Sequence, residues 1–201
     1  MAKLYFYYSA MNAGKTTTLL QSAYNYKERG MDALLFAPAF DDRYTIGKIT
    51  SRIGLEADAL LFDESINLWH CINVALKNNP NIQCILVDEA HFLTKKHVLE
   101  LTQATDVLNI PVLAYGLRTD FRGEPFPGST YLLSWADELI EIKTICHCGK
   151  KATLNMRIDS QGLRVDQGPQ IEIGGNDRYL STCRRHFELH ALHHPQFDIV
   201  D

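Results

Sequence analysis

The run Ser9-Ala10-Met11-Asn12-Ala13-Gly14-Lys15-Thr16 has the residue types and spacing of a phosphate-binding loop, with Ser9 where a first glycine is usual. It follows a compact apolar and aromatic run, Leu4 to Tyr8, and opens a helical pattern. Backbone N–H groups at the start of a helix attract phosphate oxygens. Gly14 lets the backbone wrap closely, Lys15 brings a positive charge to the β- and γ-phosphates, and Thr16 offers a hydroxyl to magnesium. A bare Gly-Lys-Thr triplet reads as the end of a surface loop. The strand, turn and helix in register favour a nucleotide phosphate cradle instead.

A second feature fits the first. Cys84-Ile85-Leu86-Val87-Asp88-Glu89 is an apolar strand ending in two acids. Asp88 is placed to hold magnesium, directly or through water. Glu89, one residue on, can face a reacting hydroxyl, orient it and accept its proton. A solvated acidic turn is the plainer reading of Asp-Glu by itself; the loop upstream tips the balance.

Cys146-His147-Cys148 and Cys183-Arg184-Arg185-His186 supply three thiolates and an imidazole, the donor set of a closed, structural zinc site. His147 is an alternative ligand with an awkward geometry between two ligating neighbours. The remaining cysteines, Cys71 and Cys84, lie in apolar elements and read as small hydrophobes.

These groups need a scaffold, and hydrophobic periodicity predicts one. Strands are expected at Leu4–Tyr8, Ala33–Ala37, Ala59–Phe62, Ile82–Val87 and Pro111–Tyr115. Helices are expected at Lys15–Arg29, Ser65–Leu76 and Thr94–Thr105, the last capped by Thr94. Residues 38–58 show no clear periodicity and read as a long mobile loop. Alternating strands and helices imply a mainly parallel sheet with right-handed crossovers. The expectation is a RecA-like α/β P-loop core over residues 1–143, a small zinc-bound domain over 144–190, and a tail over 191–201 containing His193 and His194. The chain of 201 residues is long enough for such a core and appendage.

Composition narrows the partners. The net charge is -4, so no basic field suggests nucleic acid, and an anionic ligand must be held locally. No apolar stretch approaches the ~20 residues that cross a bilayer. The N-terminal apolar run leads into the glycine-lysine turn rather than a cleavage site, so the expected location is the cytoplasm.

The segments YYSAMNAGKTT, LVDEAHF, YGLRTDFRGEPF, TICHCGKKA and IGGNDRYLSTCRRHF resemble, in order and spacing, the type II thymidine kinases, most of all the bacterial ones. The resemblance covers nearly the whole chain. It implies transfer of the ATP γ-phosphoryl group to the 5′-hydroxyl of thymidine, with Mg²⁺ and a structural Zn²⁺. By motif, Ser9 to Thr16 resembles the ATP loop, Asp88, Glu89, Ala90 and His91 lie along the nucleotide, and Glu89 is the general base. Asp41 and Arg43 fall in the family's phosphate-side loop. Met11, Phe92, Leu117, Phe121 and Phe126 resemble the walls of the nucleoside pocket; as bare apolar positions they would read as core. Residues 165–179 resemble a lasso loop over thymidine, with Tyr179 covering the base. His91 stands where the family often has Gln, and His186 where some members have Cys. A homotetramer and feedback inhibition by thymidine triphosphate are implied by the resemblance alone.

Two rival readings share the same loop and acidic pair: a RecA-like ATPase acting on nucleic acid, and a nucleotide-binding regulator without an acceptor. The acidic net charge and the lack of a basic, aromatic-rich stripe disfavour the first.

Overall fold

The computed structural model describes residues 1–39, 47–170 and 178–192. In chain order these form β1 (Leu4–Ser9), α1 (Lys15–Glu28), β2 (Asp32–Pro38), β3 (Lys48–Thr50), β4 (Glu56–Asp58), β5 (Leu60–Phe62), α2 (Leu68–Asn78), β6 (Ile82–Val87), a 3₁₀ turn (Ala90–Phe92), α3 (Lys95–Leu108), β7 (Val112–Leu117), α4 (Pro127–Trp135) and β8 (Glu138–Glu141). There follow β9 (Thr144–Ile145), β10 (Lys151–Ala152), β11 (Leu154–Ile158), β12 (Arg164–Val165), β13 (Tyr179–Thr182) and α5 (Arg184–Leu192). No helix among the described residues is long and apolar enough to cross a membrane.

Six strands pair in parallel in the order β5-β2-β6-β7-β1-β8. Successive side chains on a strand point to opposite faces, so an apolar run fills two cores at once. On β2 and β6, Leu34, Phe36, Ile85 and Val87 join a core with Leu68, Ile72, Val98, Leu101 and Leu132 from α2, α3 and α4. Their neighbours Leu35, Ala37, Cys84 and Leu86 join the opposite core, with Leu19 and Leu20 of α1 and with Tyr115. Burial pushes the Cys84 thiol up to about 11, as suits an inert core residue.

The expected α/β core with a parallel sheet is therefore present, followed by a small antiparallel region. In it β9 pairs with β10, and β11 pairs with β12 and β13.

Several boundaries differ from the sequence reading. The second helix begins at Leu68 rather than Ser65, because the Asn67 side chain accepts the His70 N–H and caps it. The third helix does start after Thr94, which with His97 forms a reciprocal cap, and it runs on to Leu108. The described part of the segment read as a loop contains a hairpin, β3 with β4. Its strands are too short for a periodic signal, yet Ile49 is buried. Helix α4 is not among the elements expected from the sequence, because it opens Pro127-Gly128-Ser129. Proline at the first helical position is compatible with a helix, since that N–H has no intrahelical partner. Strand β8 is a four-residue edge strand beside β1.

Candidate active site

The carboxyl ends of β1, β7 and β6 lie side by side, and ligands of open parallel sheets bind at that edge. β7 lies between the strand that leads into the phosphate loop and the strand that ends in the acidic pair. At the loop, Gly14 is left-handed at φ 83°, a conformation that costs an L side chain and costs glycine little. It brings Lys15 to the first position of α1, mostly buried. The Lys15 ammonium donates to Ser9 Oγ at 3.2 Å and to the Ala10 carbonyl at 3.4 Å, which aims it into the loop.

Thr16 Oγ1 donates to Asp88 Oδ2 at 3.2 Å, so the two motifs meet across the intervening strand. Octahedral magnesium with oxygens at 2.0–2.1 Å sets neighbouring oxygens about 2.9 Å apart, so these two atoms could serve as adjacent ligands. Asp88 is buried, and burial, followed by the charge of Glu89, pushes its carboxyl up to about 7. A group so placed is poorly neutralised by the protein and suits a cation.

Glu89 itself has φ 48°, a left-handed conformation at a non-glycine residue. Such strain costs about 1–3 kcal/mol and persists only where its surroundings hold it. Its N–H is held by Asp88 Oδ1 at 3.0 Å. The 3₁₀ turn that follows is pressed between β7 and α4. A Cβ at Gly116 would lie 2.9 Å from the His91 nitrogen, and a Cβ at Gly128 would lie 2.6 Å from the Ala90 carbonyl oxygen.

A cavity of about 300 Å³ joins these parts; Met11 to Thr17, Asp88, Glu89 and Leu117 line it. The β3–β4 hairpin supplies the opposite wall, with Lys48, Ile49, Thr50, Arg52 and Ile53. The cations Lys48 and Arg52 were not singled out from the sequence. Their one signal was basic character in a segment that had no periodicity.

Cys146, Cys148, Cys183 and His186 come together with their donor atoms all within 4.8 Å of one another. Cys148 Sγ and Cys183 Sγ are 3.9 Å apart, and His186 Nδ1 lies 3.3 Å from Cys146 Sγ and 3.5 Å from Cys183 Sγ. A tetrahedral zinc with Zn–S near 2.3 Å implies sulfur pairs about 3.8 Å apart, so the set fits that ion. A backbone N–H from Lys150 holds the Cys148 thiol below its ordinary range, which favours the ligating thiolate. The His147 ring packs against His186 at a tilt of 34°, with centroids 4.3 Å apart, and lies outside the four-residue set.

The cluster abuts the phosphate loop: Ala10 packs in one buried group with Cys146, Ala152 and Cys183. The Met11 N–H donates to Asn155 Oδ1 at 2.7 Å, and Ser181 Oγ donates to the Met11 carbonyl at 2.6 Å. Asn155 Nδ2 also donates to the Thr119 carbonyl. Asn155 gave no signal in the sequence, since a lone Asn in a short strand belongs to no pattern.

Among the apolar pocket residues, Phe92 and Phe126 meet edge to face at 5.7 Å, with the His91 ring 4.0 and 4.5 Å from them. Phe121 is buried under the Arg157 guanidinium, 4.1 Å from its ring. Arg157 also donates to the carbonyls of Gln167 and Pro169, at the start of the segment read as a lasso. Tyr179 is the cross-strand partner of Arg157. The His91 side chain is buried against this aromatic group and is not among the residues lining the cavity, although the resemblance placed it along the nucleotide. Asp41, Arg43, residues 171–177 of the lasso segment, His193 and His194 lie outside the described residues.

A glycine-lysine loop between a strand and a helix, facing an Asp-Glu pair across one intervening strand, defines a P-loop protein of the nucleotide-dependent class. Comparison with known proteins narrows this. The chain matches the thymidine kinase family over residues 2–187. It is 64% identical over 189 residues to the thymidine kinase of Coxiella burnetii, covering 94% of this chain and 96% of that one. It is 61% identical over 188 residues to that of Legionella pneumophila strain Lens (94% and 90% covered), and 59% identical over 188 residues to that of Vibrio cholerae (94% and 97%). The chain belongs to the thymidine kinase family.

Proposed function

We propose that this enzyme transfers the γ-phosphoryl group of ATP to the 5′-hydroxyl of thymidine. The observation that carries the reading is the meeting of Thr16 and Asp88, which line a single cavity together with Lys15 and Glu89. Family membership supplies the acceptor.

The loop from Ser9 to Thr16 holds the phosphates through backbone N–H groups, and Lys15 offsets the charge that develops on them. Magnesium, held by Thr16 and Asp88 with nucleotide oxygens, would add to that neutralisation. Glu89 orients the 5′-hydroxyl and takes its proton as the new O–P bond forms and the bond from the γ-phosphorus to the bridging oxygen breaks, its electron pair leaving on ADP. Most of the acceleration comes from electrostatic positioning, with base catalysis adding about 10²–10⁴. Met11, Phe92, Leu117, Phe121, Phe126 and Tyr179 are assigned to the nucleoside side, and Asp41 and Arg43 to the phosphate side. Backbone groups of the lasso segment are assigned to the polar edge of thymine, where an unpaired group would penalise a wrong base. The four-residue cluster is assigned a structural zinc. A cytoplasmic homotetramer inhibited by thymidine triphosphate belongs to the same reading and rests on family kinship.

The test is transfer of labelled phosphate from magnesium-ATP to thymidine, with DNA-stimulated ATP hydrolysis measured in parallel. Labelled thymidine monophosphate without DNA stimulation is expected. Hydrolysis stimulated by DNA with no nucleoside product would overturn the reading.

A further inference from the structure

We infer that His91 is a positioning residue that holds the Glu89 carboxylate at the attacking hydroxyl; this rests on the reading of Glu89 as the base. His91 belongs to the turn immediately after Glu89 and is 2% exposed. Its ring is enclosed by Phe92 and Phe126, at centroid distances of 4.0 and 4.5 Å. The Leu117 N–H, at the end of β7, donates to His91 Nδ1 at 3.2 Å. A backbone N–H can only donate, so Nδ1 uses its lone pair there and the neutral ring carries its proton on Nε2. The same Nδ1 lies 3.6 Å from Glu89 Oε2. That is too long for a hydrogen bond and close enough for van der Waals contact.

The ring edge therefore acts as a stop behind the carboxylate. The stop itself is rigid. A Cβ at Gly116 would come within 3.4 Å of Nδ1, so the imidazole lies directly on the backbone of β7. Carbonyl oxygens of Ala90, His91 and Leu93 would lie within 2.8 Å of a Cβ at Gly128, so α4 closes on the turn from the other side. The left-handed backbone of Glu89 sets the direction in which its side chain leaves, and His91 limits where the carboxylate can retreat. Glu89 and Leu117 line the same cavity. One imidazole thus ties the proton acceptor to the wall against which the nucleoside is assigned to lie. A histidine that only filled the core would be satisfied by Leu117 and the two phenylalanines and would have no bearing on Glu89.

Displacing a reacting group by about 1 Å can cost about 10²-fold in rate. His91→Leu removes the acceptor while keeping an apolar side chain, and His91→Asn restores an acceptor at the reach of Nδ1. Folding of each variant is checked by thermal melt, and kcat and both KM values are measured alone and in a Glu89→Gln background. The expected result for His91→Leu is a kcat about 10- to 100-fold down, with the KM for ATP within about threefold of the parent. His91→Asn should recover most of that loss. In the Glu89→Gln background, His91→Leu should cost no further rate, because it acts through the carboxylate already removed. Should the leucine variant fail to fold, His91→Ala takes its place with the same outcomes expected, since it has neither the acceptor nor the ring edge. A folded variant with kcat within about twofold of the parent would overturn the inference. So would an equal loss in both backgrounds, or an asparagine no better than the leucine. If Glu89→Gln collapses kcat while His91→Leu does not, the inference falls alone. If Glu89→Gln keeps a near-normal kcat, the base assignment falls and takes the inference with it.

Discussion

Asn155 reaches out of the antiparallel region that holds the cysteine-histidine cluster and accepts the N–H of Met11 inside the phosphate loop at 2.7 Å. The side chain is 2% exposed, and its amide nitrogen is held by the Thr119 carbonyl, so neither end is free to turn. Replacing it with leucine leaves the Met11 N–H facing an apolar group, at a cost of about 1–3 kcal/mol. We expect Asn155→Leu to weaken magnesium-ATP binding by calorimetry about tenfold, with a smaller change for thymidine. Unchanged nucleotide affinity in a folded variant would show that the loop holds its shape without this tie.

The metal cluster shares a buried group with Ala10, so stripping the ion should be felt at the nucleotide. Zinc binding is coupled to folding of the region that supplies its ligands. One zinc per chain is expected by atomic absorption. Chelation should lower the melting temperature and raise the Kd for ATP, and added zinc should reverse both. A metal-free protein with the parent's Tm and Kd would remove zinc from the structural account.

Lys15 and Glu89 should separate by kinetics. Lys15→Ala removes the cation assigned to the β- and γ-phosphates and should lower kcat/KM at least about 10³-fold while the fold survives. Glu89→Gln keeps the side chain's size but cannot accept a proton. It should leave ATP binding within about threefold and lower kcat about 10²–10⁴-fold. Near-normal turnover in either variant would strip that residue of its assigned role.

The elevated Asp88 carboxyl predicts a pH dependence of definite sign. Its folded value is pushed up to about 7, above an unfolded value near about 4. Its contribution to metal-free stability is therefore fully present below about 4 and is lost as pH rises through about 7. Magnesium-nucleotide needs the anion, so binding should strengthen over the same rise and release protons at pH 6. Melting curves and calorimetry in two buffers of different ionisation enthalpy check both trends. Asp88→Asn should flatten them; trends that persist in that variant would assign them to another group.

The core and the chemistry were legible to different degrees. Ala33 to Ala37 and Ile82 to Val87 announced buried strands because a parallel strand between two helical layers is apolar on both faces. The loop from Ser9 to Thr16, the Asp88-Glu89 pair and the metal-type ligands were readable because each is a local pattern with its chemistry inside it. Asn155, Lys48 and Arg52 were not, since what gives each its place is a surface supplied by another part of the chain. Helix α4 was hidden because Pro127 and Gly128 look like a turn until the packing they serve is seen.

That packing has a consequence for how the chain can vary over generations. Gly128 has an ordinary backbone twist, so alanine would suit its helix; what it lacks is headroom, with three carbonyl oxygens of the neighbouring turn within 2.8 Å of any added carbon. Even a single methyl there would push on the turn that follows Glu89, the residue assigned as the base. Descendants of this sequence are therefore free to drift along the outer side of that helix, while its second residue is closed to change by a site it never touches.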